Sequence, residues 1–131
     1  MILDTNAVSG LFAGDPGLAK RLAVSERHHL PIIVIGEYRY DLLHSSDRRV
    51  LEPLLEQLEN ESFILYPDRT TTIHYAAVRQ RLKLAGTPIP ENDVWIAAVA
   101  ARHGVNVLTY DQHFRAIRRV GSVILTLPEG T

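Results

Sequence analysis

Apolar runs alternate with amphipathic stretches along this chain. Met1 to Leu3 is a short apolar run cut off by Asp4, and it predicts a short buried strand. Asn6 to Ala13 predicts a short helix stopped by Gly14-Asp15-Pro16. Pro16 suits the first turn of a second helix, running to about Arg27. Leu30 to Ile33 ends in β-branched residues and predicts a short strand or extended lead-in. A helix then carries Glu37 and runs to about His44. Ser46 or Asp47 can cap another, in which Val50, Leu51, Leu54, Leu55 and Leu58 are apolar at helical spacing. Phe63 to Tyr66 predicts a strand before Pro67-Asp68, and Thr70 to Leu84 a helix ended by Gly86. Pro88 and Pro90 keep the next segment extended, and a helix from about Glu91 stops near Gly104. Val105 to Tyr110 predicts a strand, Gln112 to Arg118 a helix and Val123 to Leu127 a final strand.

Strands that alternate with helical segments predict an α/β fold with a mostly parallel central sheet flanked by helices. No composition break or repeat divides the chain, so residues 1–131 are expected to form one domain. The absence of cysteine excludes disulfides and thiolate metal sites. No apolar stretch reaches membrane-spanning length, and no basic segment precedes the first apolar residues as in a signal peptide. A cytoplasmic protein is expected. The formal net charge of −1 lacks the basic excess of many nucleic-acid binders. Binding a polyanion would therefore need local basic patches or a bridging metal. Arg79, Arg81, Lys83, Arg102, Arg115, Arg118 and Arg119 are available, although for most of them a solvated helix face is the better reading.

Four acids change the picture. Asp4 and Asp111 each end an apolar strand, and in open parallel sheets ligands bind beyond the carboxyl ends of strands. A helix N-cap is the competing role for each. Thr5 and Asn6 can orient Asp4, and Thr109 can do the same for Asp111. Asp93 heads the stripe Ile96, Ala97, Ala100 and Ala101, which marks it as more than a partner for the helix dipole. Glu37 is flanked by apolar residues, and Arg39, two positions on, does not face it across a helix. Carboxylates gathered at strand ends and helix starts repel one another unless a cation sits between them. A metal-dependent enzyme is the reading that follows, with Asp4, Glu37, Asp93 and Asp111 as ligands and catalytic residues. Hard oxygen donors select Mg²⁺ or Mn²⁺.

Other constellations are poor. The six histidines form no zinc spacing, and there is no phosphate-binding glycine loop or nucleophile elbow. His113, two residues after Asp111, is better read as a surface helix residue than as a substrate contact. Trp95 and Tyr110 read as packing or rim residues.

The segments Leu3-Asp4-Thr5-Asn6, Gly36-Glu37, Asn92-Asp93-Val94-Trp95-Ile96-Ala97-Ala98 and Leu108-Thr109-Tyr110-Asp111-Gln112-His113-Phe114 together resemble the PIN-domain nucleases. Spacing and length look most like the VapC toxins of bacterial and archaeal toxin–antitoxin pairs. The resemblance covers essentially the whole chain. It implies a Rossmann-like sheet and an acidic pocket holding Mg²⁺ or Mn²⁺ through the same four acids. It also implies RNA cleavage, a homodimer, and inhibition by a cognate VapB-type antitoxin. Only three residues precede Asp4, so the first strand is expected to be short, and Tyr38-Arg39-Tyr40 is bulkier than the pattern suggests.

Water as nucleophile would leave 5′-phosphate and 3′-hydroxyl ends, so any preference for RNA must come from binding. Arg115, four residues after Asp111, is the candidate for gripping a substrate phosphate, with Arg118 and Arg119 extending that face. Rival readings are a phosphatase or RNA-processing nuclease on the same fold, a phosphoacceptor signalling domain, and a catalytically idle metal-binding module. The phosphoacceptor needs a Lys after a late strand, and none follows any strand here.

Overall fold

The computed structural model describes residues 1–23, 27–110, 113–119 and 124–126, with the backbone alone for 115, 118, 119 and 124–126. In chain order the elements are β1 (Ile2–Leu3), α1 (Thr5–Phe12), α2 (Pro16–Ala23), β2 (His29–Pro31), α3 (Ile32–Leu42), α4 (Arg48–Glu61), β3 (Phe63–Leu65), α5 (Arg69–Ala85), α6 (Glu91–His103), β4 (Val107–Thr109), α7 (His113–Arg119) and β5 (Ile124–Thr126). The strands form one sheet in the order β3-β2-β1-β4-β5, and every pairing is parallel. Each passage between strands runs through one or two helices, as parallel neighbours require.

The expected α/β architecture is present, and the sequence pattern names each element. The junction of β2 and α3 differs. Ile32 and Ile33, expected in extended conformation, open α3 instead. Pro31 is the last extended residue, with φ −64° and ψ 141°, and it pairs with Leu65 on β3. The β-branched run favours a strand by propensity. Burial decides otherwise, because Val34, Ile35, Tyr38 and Leu42 line one helical face against the core. Beyond Ala23 the expected extent of α2 enters residues 24–26, outside the described residues, as do Gln112 and the outer residues of the last predicted strand.

Ile2, Leu3, Leu30, Val107 and Leu108 are buried at the centre of the sheet. Burial of α6 goes further than a stripe: Val94 and every residue from Ile96 to Ala100 are buried. Gly104 closes α6 in the left-handed region at φ 64°, a conformation that glycine adopts without a Cβ penalty.

The strand order reverses at β1. The chain adds β2 and β3 on one side, then returns to place β4 and β5 on the other. The crevice outside the carboxyl ends of β1 and β4 is therefore a topological switch point, where open parallel sheets bind ligands.

At the β2 and β3 end of the sheet, His28 and His29 are half-buried. Burial pushes both imidazoles below the ordinary histidine range, and the positive N-terminal amino group adds to it. His103 lowers His29 further, while Glu61 opposes the shift at His28. The unfolded chain thus takes up these protons more readily than the folded one. The stability this represents is present above the ordinary histidine pKa and drains as pH falls through the folded values. We expect the urea midpoint to fall between about pH 7.5 and about pH 5.5, and to fall less in a His28→Gln, His29→Gln double variant.

Candidate functional site

Asp4 follows β1 directly and caps α1. Its Oδ1 accepts the Ala7 backbone N–H at 2.8 Å, which sets the start of the helix at Thr5 rather than Asn6. The cap role and a site role coincide here, since the same side chain is buried at the switch point with 3% exposure. Its Oδ2 accepts a hydrogen bond from the Thr109 hydroxyl, at the end of β4. Burying a carboxylate is costly unless it is paired or hydrogen-bonded, and these two donors come from α1 and from β4.

Glu37 lies on α3, half-buried, and Thr5 Oγ1 donates to its Oε1 at 3.0 Å. Thr5 is the residue after Asp4, so a single peptide link and one hydrogen bond connect the acid after β1 to the α3 acid. Arg39 turns away, as the helix geometry requires, and pairs with Glu59 of α4 at 2.9 Å. Gly36 opens space beside Glu37: a Cβ there would meet nothing within 4 Å. A hollow of about 450 Å³ results, lined by Ile33, Gly36, Glu37, Tyr40, Asp41 and Asn92. Asn92 brings the start of α6 to its rim.

Asp93 sits in the first turn of α6, where the helix dipole favours an anion, with 13% of its side chain exposed. His113, in the first turn of α7, places Nδ1 at 3.2 Å from Asp93 Oδ2.

Two of the supporting residues named from sequence bond to acids other than the ones first paired with them. Thr5 holds Glu37 rather than Asp4, and Thr109 holds Asp4, while any contact it makes to Asp111 lies outside the described residues. Asn6 stands exposed on the first turn of α1. His113, read from sequence as a surface residue, is exposed but engaged with Asp93. Its spacing from Asp111 was the one available signal. Asp111 itself, and the side chains of Arg115, Arg118 and Arg119, lie outside the described residues. Tyr110, directly after β4, donates to Asp15 Oδ2 at 2.9 Å. That bond, with the Leu18 and Gly17 amides adding to it, holds the Asp15 carboxyl below the usual carboxylate range.

All three acids offer hard oxygen donors. Among the described residues, no three His, Asp or Glu side chains stand close enough to hold one ion together. Mg²⁺ needs fewer, since it is bound through one or two carboxylates and keeps several waters. The donor chemistry fits such an ion.

The family model described as PIN domain matches residues 1–120. The chain belongs to the PIN domain family. This PIN domain is 31% identical over 88 residues to Ribonuclease VapC4 of Mycobacterium tuberculosis, a match covering 66% of this chain and 68% of that one. It is 26% identical over 114 residues to Ribonuclease VapC1 of Haemophilus influenzae strain R2866, covering 84% and 85%. Its fold matches that of VapBC2 from Rickettsia felis, solved bound to a promoter DNA fragment, with a TM-score of 0.83 at 20% identity over 95% of this chain and 96% of that one. VapBC-1 from nontypeable Haemophilus influenzae matches with a TM-score of 0.79 at 25% identity, over 96% and 95%. Among the described residues no helix of this PIN domain is long and apolar enough to cross a membrane.

The Thr109–Asp4 bond is the buried tie across the crevice. Thr109→Val keeps the shape and removes the donor. A hydrogen bond to a charged group contributes about 1.5–3 kcal/mol, so we expect a loss of that order in urea unfolding. Thr5→Val, at a half-buried pair, should cost less.

Proposed function

We propose that this PIN domain is a metal-dependent endoribonuclease acting as the toxin of a toxin–antitoxin pair. The observation that carries the reading is the linked pair Asp4 and Glu37 at the switch point of the sheet, bridged through Thr5. Relatives bearing the name ribonuclease support the chemistry, and VapBC assemblies among the solved neighbours support a VapB-type antitoxin as partner. A homodimer and a cytoplasmic setting belong to the same reading.

Mg²⁺ or Mn²⁺ would be held among Asp4, Glu37, Asp93 and Asp111, through one or two of these carboxylates at a time with waters completing its shell. When bound, the ion supplies Lewis acidity at the phosphate and makes a water more nucleophilic. The chain's own residues do the rest. Thr109 and the Ala7 amide hold Asp4 in one orientation, and Thr5 holds Glu37. The hollow beside Gly36 leaves room for substrate atoms next to Glu37. The acids repel an RNA phosphate, so its register needs cationic side chains at the rim, with Arg115 the candidate. Arg79 and Arg102 are less suited, being paired with Glu91 at 3.3 Å and Asp68 at 3.5 Å.

Asp4→Asn and Asp93→Asn keep the side-chain size and, at Asp4, a capping oxygen. Both variants are expected to fold, as read by circular dichroism. Both should lose more RNA cleavage than the roughly 10–100-fold that follows from disturbing a ligand's outer partner. Wild-type turnover in either folded variant would remove that residue from the site. Expression without a partner should arrest growth, and Asp4→Ala should relieve the arrest. Unimpaired growth with abundant folded wild-type protein would leave a nuclease of RNA processing instead.

A further inference from the structure

Each described acid of the site accepts a hydrogen bond from a side chain on a different element: Asp4 from Thr109, Glu37 from Thr5, Asp93 from His113. The first two donors are threonines in or next to the strand ends. The third is an imidazole that crosses from α7 to the start of α6. We propose that His113 is a positioning residue, which orients the Asp93 carboxylate for a divalent cation. This rests on the metal-dependent reading above.

The geometry supports a fixed contact. Phe114, directly after His113, is fully buried, and Ala116 and Ile117 are buried as well, so the first turn of α7 is pinned to the core. Asp93 stands in the first turn of α6, a helix buried on most of its surface. Two anchored turns therefore set the relative position of imidazole and carboxylate. An ionised carboxylate only accepts hydrogen bonds, so Nδ1 carries the proton. It does so whether the ring is neutral or charged, and the donor role needs no particular protonation state of the ring. Holding one carboxylate oxygen restricts rotation of the group and fixes where its other oxygen points. Outer partners of this kind typically govern metal affinity by about 10–100-fold.

His113→Asn keeps an N–H donor at the position of Nδ1, whereas His113→Phe keeps a planar ring and removes the donor. Mn²⁺ is titrated by calorimetry into the full chain, without RNA, for wild type, both variants, Asp93→Asn and the Asp93→Asn, His113→Phe double variant. We expect His113→Phe to bind Mn²⁺ about 10–100-fold more weakly and His113→Asn to stay close to wild type. The double variant should be no weaker than Asp93→Asn alone, because the proposal routes the imidazole's effect on the ion through that carboxylate. Equal affinity of wild type and His113→Phe overturns the proposal while leaving the metal reading intact. Equal weakening by Asn and Phe, or an additive double variant, overturns it as well. Failure of wild type to bind Mn²⁺ overturns the metal reading and this proposal with it.

Discussion

The carboxylate of Asp4 joins three parts of the molecule at one buried point. Its backbone ends β1, its Oδ1 starts α1 by capping the Ala7 amide, and its Oδ2 takes the hydroxyl of Thr109 from β4. β1 has two residues and lies between β2 and β4 in the sheet, so it has little ladder of its own to hold it in register. The side-chain tie supplements that ladder at the carboxyl end. A charge buried to this degree is stable only while its partners stay in place, which makes the bond both a constraint and a potential weak point.

The other acids inherit their positions from this arrangement. Thr5 can reach Glu37 because α1 begins where Asp4 starts it. Asp93 depends on α6, whose packing against α5, α3 and α7 surrounds it with apolar side chains. Small residues at Ala97, Ala98 and Ala100 let these neighbours approach closely. The site is thus assembled from the ends of elements whose interiors form the core. A substitution deep in the sheet can disturb the site without touching an acid.

Charge sets a second constraint. The candidate site places acids at the ends of elements in a chain of formal net charge −1, while described basic residues such as Arg39, Arg79 and Arg102 are engaged with carboxylates elsewhere. On the proposed reading, cationic help for a polyanionic substrate would come from an ion held by the acids, or from a local rim. Both follow from the same electrostatics.

Much of the fold was legible in the chain because its signals are local. Alternating strand and helical patterns named each element, and Asp4, Glu37 and Asp93 stood out as acids against apolar runs. Family resemblance then put those acids in order. What sequence could not decide were contacts between distant residues. Thr5 and Thr109 both donate to acids, and which acids they reach depends on how α1 meets α3 and how β4 lies beside β1. His113 reaches Asp93 only because α7 packs on α6. Propensity also misled at Ile32 and Ile33, where burial of the α3 face outweighed the β-branched preference for a strand. Local pattern determined the elements and their acids. Tertiary packing alone decided the pairings, since a hydrogen bond between residues over a hundred positions apart has no trace in the sequence around either one.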